Sequence, residues 1–490
     1  MKQKLHLSKI SCLLVGSLGL LTLMPSCNKN AASPAPTAIE TISGKGHTPQ
    51  LEIMEEGRLL AFPGAEGFGR FAKGARAASA PSLYIVTNLN DSGPGSFRDA
   101  VSKPGRFVVF AVTGIIKLKS TVAVAANTTI AGQTAPGKGI VLYGRKVSFS
   151  GANNTIARNL RIRLGINEGA SRNDDASGIA NGKNIIFDHV SFTWGLDEVF
   201  SINWDNKGNE PDSITLQNCI IAQGLNRLNH SAGGLIQTGG RISILKSLYA
   251  SNKTRNPKVK GYNEFVNNIV YNWGNYGNTY GHSVSGDGYI MGGESAGTSW
   301  VNIINNYFIS GPLTQPTESS PFSRGSGTFN LYASGNYFDP NKNGTLDGSL
   351  VPEDATGYPG LVASNFMSTP FSYPGSNNPL TAIDAFKYVA KHAGALYPHR
   401  DEVDKLLVEE LRSVGLAGLY AYRESDLPLL NGGLGDFPEA VAHKDGDNDG
   451  IPDIWERKLG LDLNTNDALL PSSIYPGYLN IEVYINLLCQ

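Results

Sequence analysis

Between residues 173 and 263 the chain segregates its charge. Residues 173 to 212 hold eight acids, Asp174, Asp175, Asp188, Asp197, Glu198, Asp205, Glu210 and Asp212, against the two cations Lys183 and Lys207. Residues 213 to 263 hold seven cations and no acid: Arg227, Arg241, Lys246, Lys253, Arg255, Lys258 and Lys260. Clustered carboxylates with no cysteine and a single nearby histidine favour a hard cation such as calcium over zinc. A basic strip beside them favours a polymer bearing carboxylate or phosphate. The strip is densest in SNKTRNPKVKG, 251–261, where Arg255 stands just before Asn-Pro. His189 and His230 are the conventional candidates for a general base, and Lys260 is a further one.

A second acidic group lies near the C-terminus. DGDNDGIPDIWE, 445–456, sets Asp445, Asp447, Asp449, Asp453 and Glu456 at loop positions 1, 3, 5, 9 and 12, with Gly450 at position 6. This is EF-hand-like calcium spacing, similar to thrombospondin type 3 or dockerin-type loops, and WERKLGLD reads as a short helix after it. A structural calcium that orders the C-terminus is expected.

The elements that position these residues form a repeat. Seven apolar segments, TIARNLRIR, IIFDHVSFTW, ITLQNCIIAQ, ISILKSLYAS, EFVNNIVYNW, VNIINNYFIS and LYASGNYFDP, align on Asn159, His189, Asn218, Ser247, Asn268, Asn306 and Asn336. The steps are 30, 29, 29, 21, 38 and 30 residues, about one coil each. Strand, turn and long return at a steady period mark a parallel β-helix, whose coils stack about 4.8 Å apart. A β-sandwich would instead show hairpins at roughly 8 to 12 residues. Recurrent Asn at one turn should form a side-chain ladder, and His189, at the ladder position, reads as structural. In this register Asp197, Asn226 and Arg255 share one phase, which places Asp197 and Arg255 two coils, about 10 Å, apart. One sugar ring with its carboxylate and a metal ion would fit that gap.

Around the repeat, 490 residues with a formal net charge of -1 and 41% hydrophobic content allow one large domain with appendages and argue against a general nucleic-acid binder. The start, MKQKLHLSKISCLLVGSLGLLTLMPSCNKN, reads as an export signal over 1–26. Its Met-Pro-Ser-Cys ending resembles a bacterial lipobox, with Cys27 as the lipidated residue; plain secretion is the alternative. Residues 27–58 read as a tether, 59–430 as the β-helix, and 431–490 as a linker with the calcium loop. Helical periodicity in TAIDAFKYVAKHAGA and RDEVDKLLVEELRSVG places two helices against the coil stack. Of the mature cysteines, Cys219 and Cys489 are expected as free thiols. The chain is taken as a monomer.

The ordered motifs NDDASGIANGKNIIFDHVSFTWGLDE, NHSAGGLI and KTRNPKVKG resemble the polysaccharide lyase family 1 pectate lyases, from about residue 61 to 414. The resemblance implies an all-β, right-handed parallel β-helix and calcium-dependent β-elimination of polygalacturonate to unsaturated oligogalacturonides. It implies calcium ligands at Asp175 and Asp197, with Glu198 or Asp174 completing the shell, and a catalytic base at Arg255. Lys260 stands where the family has a second, substrate-binding Arg, an exchange that keeps charge and loses bidentate geometry. Ser201 stands where the family has a further Asp. The element at His230, Ser231 and Ala232 lacks the family's substrate-binding Lys; Arg227 or Arg241 is the expected substitute, with Lys258 beside Lys260 and His230 as further substrate contacts. Two rivals remain: a β-helical hydrolase with Asp174 and Asp197 flanking the bond, and a non-catalytic surface pectin-binding protein.

Overall fold

Short apolar runs broken by Gly and Asn corners cannot cover their own backbone groups, and each coil must pair with the next. The computed structural model, which describes residues 52–490 except 168 and 280, resolves them as parallel ladders on three faces. One face carries Ser177–Ile179, Phe200–Asn203, the first part of Leu235–Leu245, the first part of Lys258–Val266 and Tyr289–Met291. A second carries Arg106–Phe110, Thr129–Ala131, Ile156–Arg158, Lys183–Asp188 and Asp212–Gln217, and continues into the far halves of the two long strands. The third runs from Gly114–Lys117 to Tyr337–Asp339, with Ser349–Leu350 added antiparallel at its end. This is a parallel β-helix. Inward side chains alternate along each strand and fill one long core, where Phe149, Phe187, Phe192 and Phe200 meet at centroid distances of 4.6 to 5.6 Å.

The expected ladder exists, but the alignment slips by one residue between coils. Asn159, His189 and Asn218 occupy a left-handed corner, at φ of 52°, 54° and 54°, and their true counterparts are Lys246, Asn267 and Asn305. Asn tolerates this conformation better than most side chains. The ladder proper runs through the following position: Ser247 N–H donates to Asn268 Oδ1 at 2.9 Å, Asn268 N–H to Asn306 Oδ1 at 2.8 Å and Asn306 N–H to Asn336 Oδ1 at 3.0 Å. Because Asn recurs at both adjacent positions, sequence alignment can slide between them. His189 is structural, with Nδ1 2.8 Å from the buried Asp188 carboxylate.

The two helices form at Ala382–His392 and Glu402–Arg412, capped by Thr381 and Asp401. They lie over the third face, pinned by Arg163, which donates to Asp401 at 2.7 Å and to Asp404 at 3.1 Å. All three side chains are buried. The C-terminal segment does not stand apart: Ile451, Tyr478, Ile481 and Tyr484 pack with Phe107, Val109 and Ala131 of the second face. The tether expected to reach residue 58 ends earlier, because Met54–Glu55 pairs antiparallel with Arg58–Leu59 and Glu55 and Glu56 accept from Arg70. The expected leader, Cys27 and the remainder of the expected tether lie outside the described residues. No described helix is long and apolar enough to cross a membrane. Cys219 and Cys489 are free thiols.

Candidate functional site

Four consecutive coils reach the same edge of the first face. Ala176 N–H donates to the Glu198 carbonyl at 3.2 Å, Val199 N–H to Ala232 at 2.9 Å, and Gly233 N–H to Thr254 at 2.9 Å. Asp175, Glu198, Ala232 and Thr254 therefore stack, and Arg255 follows directly. Asp197 and Arg255 do lie two coils apart as expected, but not in one phase: Glu198 aligns through Ala232 with Thr254, which sets Arg255 two residues past the position level with Asp197. Asn226 is not in this phase, since residues 224–230 leave the stack through the short turn Asn226–Leu228, and Asn226 N–H donates to Ala421 beneath the helices. Arg227 is exposed on that turn.

Ligand atoms of Asp197, Glu198 and His230 lie within 4.8 Å of one another. The Arg255 guanidinium is ion-paired with Glu198, and His230 Nδ1 lies against Asp197 Oδ1. Both of these atoms are buried, and among the described residues each engages only the other. Asp175 Oδ1 accepts from Glu198 N–H at 3.2 Å and Oδ2 from Lys146 at 2.8 Å. Burial drives the Asp175 carboxyl up, Lys146 opposes this, and Asp197 and Asp174 add to the rise. The convergence of Asp197 and Glu198, with Asp175 on the adjoining coil, gives a mainly carboxylate donor set that fits a hard divalent cation. Asp174 differs from its neighbours: its carboxylate accepts from Ser171 N–H at 2.7 Å, and its carbonyl from Leu196 and Asp197 N–H, so it shapes the loop.

Arg255 has φ +55°, a sparsely populated backbone for a long side chain. Its carbonyl accepts from Gly234 at 2.8 Å. At Gly233 a Cβ would come within 2.7 Å of that carbonyl oxygen, so only glycine allows the approach. Burial lowers the Arg255 pKa most, Asp197 opposes it, and Arg324 and Arg172 lower it further. Lys258 and Lys260 point outward on either side of the buried Val259. Lys258 pairs with Glu294 at 3.4 Å. Lys260 Nζ is buried without a hydrogen-bond partner, and burial followed by Lys258 lowers its pKa.

No family model matches the chain. Among curated relatives, the probable pectate lyase C of Aspergillus flavus is 49% identical over 431 residues, covering 88% of this chain and 94% of the relative. The proteins of the same name from Aspergillus fumigatus and Emericella nidulans are 49% and 45% identical over the same length of 431 residues. The chain belongs to the pectate lyase family. It is a polysaccharide lyase. Solved structures of lower likeness include the major cedar pollen allergen jun a 1, with TM-score 0.46 and 16% identity over 67% of this chain and 92% of that one. A pectate lyase from Acidovorax avenae subsp citrulli matches with TM-score 0.44 and 10% identity over 69% and 95%.

In this pectate lyase, Arg241 is no substitute for the missing substrate lysine at Ala232: it is held in two hydrogen bonds by Asp212 on the second face, at 2.7 and 2.8 Å. Ser201 lies on Phe200–Asn203, buried, its Oγ unpartnered. Sequence reasoning placed His230 with the substrate contacts, whereas the structure sets it against the acids. Four residues around the site were not anticipated. Lys146 sits 29 residues, one coil, before Asp175, so coil-length spacing could have flagged it. Asp287 accepts from Thr254 Oγ1 at 2.8 Å and from Arg324 at 3.1 Å; Arg172 acts through its charge on Arg255. Loops of irregular length carry these three, and no spacing signals them. A cavity of about 560 Å³ lies elsewhere, between Arg70, Arg158, Lys246 and Cys489. A polymer requires an open face, which an enclosed volume does not measure.

In the C-terminal loop, Asp445, Asp447 and Asp449 converge within 4.8 Å, and Asp449, Glu456 and Asp467 do so as a second group. Asp453, expected among the ligands, is turned away: it accepts from Lys444 at 2.7 Å and from Gly446 N–H at 2.8 Å, as residue 1 of the helix Asp453–Leu459.

Proposed function

We propose that the chain is a calcium-dependent pectate lyase that cleaves polygalacturonate by β-elimination, releasing unsaturated oligogalacturonides. The observation that carries this reading is the meeting of Arg255 with Asp197 and Glu198 across two coils, beside the outward cations of Lys258–Val266. Asp197 and Glu198, with Asp175 on the adjoining coil, are the residues that would hold calcium. Bound there, calcium supplies Lewis-acid polarisation of a uronate carboxylate, which acidifies the C5 proton and stabilises the charge that develops on the carboxylate.

Arg255 takes the C5 proton. The electron pair of that C–H bond becomes the C4–C5 double bond, and the C4–O bond breaks with its pair going to oxygen, which takes a proton from water. The base must be neutral beforehand, against the ordinary habit of a guanidinium. Burial, Arg324 and Arg172 favour the neutral form; Asp197 and Asp175 oppose it. Lys258 and Lys260 hold carboxylates of neighbouring units and fix the register of the polymer. The hydrolytic alternative needs Asp174 free, and its carboxylate is engaged by Ser171 N–H. The leader and Cys27 support export, with a lipid anchor at the outer membrane or release as a secreted monomer.

The test is near-UV absorbance of the unsaturated uronide during incubation with polygalacturonate. Calcium-dependent absorbance is expected from the wild type, abolished by chelation. Arg255→Lys should lose about 10²- to 10⁴-fold in turnover while still binding the polymer in a pull-down; unchanged turnover would remove Arg255 from the reaction.

A further inference from the structure

The C-terminal acidic loop has a feature that spacing alone does not reveal. Glu456 is 0% exposed, and neither of its carboxylate oxygens has a hydrogen-bond partner. A Glu456 carboxylate oxygen lies within 4.8 Å of carboxylate oxygens of Asp449, itself 0% exposed, and Asp467. Asp447 Oδ2 and Asp467 Oδ1 are also buried and unpartnered. Among the described residues no ion pair joins Asp445, Asp447, Asp449, Glu456 or Asp467 to a basic side chain; Lys444 and Arg457 are on Asp453 instead. Five carboxylates brought together without a counter-charge repel one another, and desolvation adds to the penalty. All donors are oxygens, which selects calcium over a softer metal.

We infer that Asp445, Asp447, Asp449, Glu456 and Asp467 form a calcium site separate from the lyase site, with Asp467 in the place that loop spacing would give to Asp453, and that its ion ties together the pieces of the C-terminal segment that pack on the coil stack. The ligands come from three pieces of chain: the loop 445–449, the helix Asp453–Leu459 and the segment 462–468. Asp449 already links the first to the third, accepting from Asp467 and Ala468 N–H at 3.1 and 2.8 Å. The loop lies flush on the stack. Gly450 has φ +86°, and a Cβ there would meet Leu83 Cδ2 at 2.7 Å, while the adjacent Ile451 is buried with Phe107 and Val109. The ion therefore joins the three pieces directly at the place where they bear on the second face.

This site does not depend on the lyase reading, and the two measurements that decide it, calcium binding and unfolding, need no substrate. Calcium bound per full-length chain is counted by isothermal titration, and thermal unfolding is followed with calcium and with chelator. Glu456→Gln and Asp467→Asn should each bind one calcium fewer than the wild type and lose most of the calcium-dependent rise in Tm. Asp453→Asn should keep both. Lyase turnover at saturating calcium should be unchanged in Asp467→Asn, which separates this site from the catalytic one. If Glu456→Gln does not fold, Asp467→Asn decides alone. Equal calcium counts in Asp467→Asn and wild type would overturn the site, and loss of calcium in Asp453→Asn equal to that in Asp467→Asn would overturn the ligand assignment.

Discussion

Arg255 is pulled in opposite directions by its surroundings. Burial and two other guanidinium groups destabilise its charge, while the acids on the adjoining coils sustain it. A base works only when deprotonated, so the sign follows: with the Arg255 pKa lowered from its ordinary value chiefly by burial, the neutral form becomes more accessible and kcat/KM should climb with rising pH. The log–log slope should be about 1 on the rising limb of the profile. A profile that levels off near pH 6 to 7 would point to a histidine instead, and His230, against Asp197, would be the residue to replace. His189 would not, since its ring is tied to Asp188 at a structural corner.

The coil corners hold the stack in register through Asn side chains rather than through apolar contact alone. Asn306 is the middle rung: its Nδ2 donates to Phe265 O at 2.8 Å and Asn336 Oδ1 at 2.9 Å, while its Oδ1 accepts from Asn268 N–H. Asn306→Ala removes partners from backbone groups that have no access to water. We expect a loss of about 2 to 4 kcal/mol in urea unfolding, and a loss below about 0.5 kcal/mol would show that the ladder is dispensable. The repeat was legible in the sequence because coil length and Asn recurrence survive variation in loop length. The exact rung was not, because Asn also favours the left-handed corner one residue earlier, and the two signals overlap. The same limit applies to the site. Arg255, Asp197 and Glu198 were legible as a pair of charged segments two coils apart, whereas Ala232 in their column, Asp287 and Arg324 depend on loop excursions. Asp467 escaped notice because it lies outside the twelve-residue loop and reaches Glu456 only through folding of the tail.

At the level of the whole molecule, buried carboxylates give the fold a signed pH dependence. Glu410, half of whose carboxylate is unpartnered, is raised by burial from 4.5 to about 8. Its folded pKa exceeds its unfolded one, so its neutral form favours the native state fully below about pH 4.5, and that contribution declines as pH rises towards 8. Asp188 acts with the opposite sign. His189, Arg158 and Asn218 hold its pKa far below 3.8, outweighing burial, so its contribution is present above about pH 4 and is lost as pH falls. Glu410→Gln keeps the hydrogen bond from Leu419 N–H and removes the charge. It should raise Tm at pH 8 by at least about 2 °C while leaving Tm at pH 5 nearly unchanged; an equal shift at both values would contradict the assignment. The central claim concerns the bond that the whole assembly breaks. It is tested most directly by mass spectrometry of the oligosaccharides released from polygalacturonate. Products whose new non-reducing end lacks the elements of water, appearing one for each new reducing end, are the result predicted here, and saturated products at both ends would contradict it.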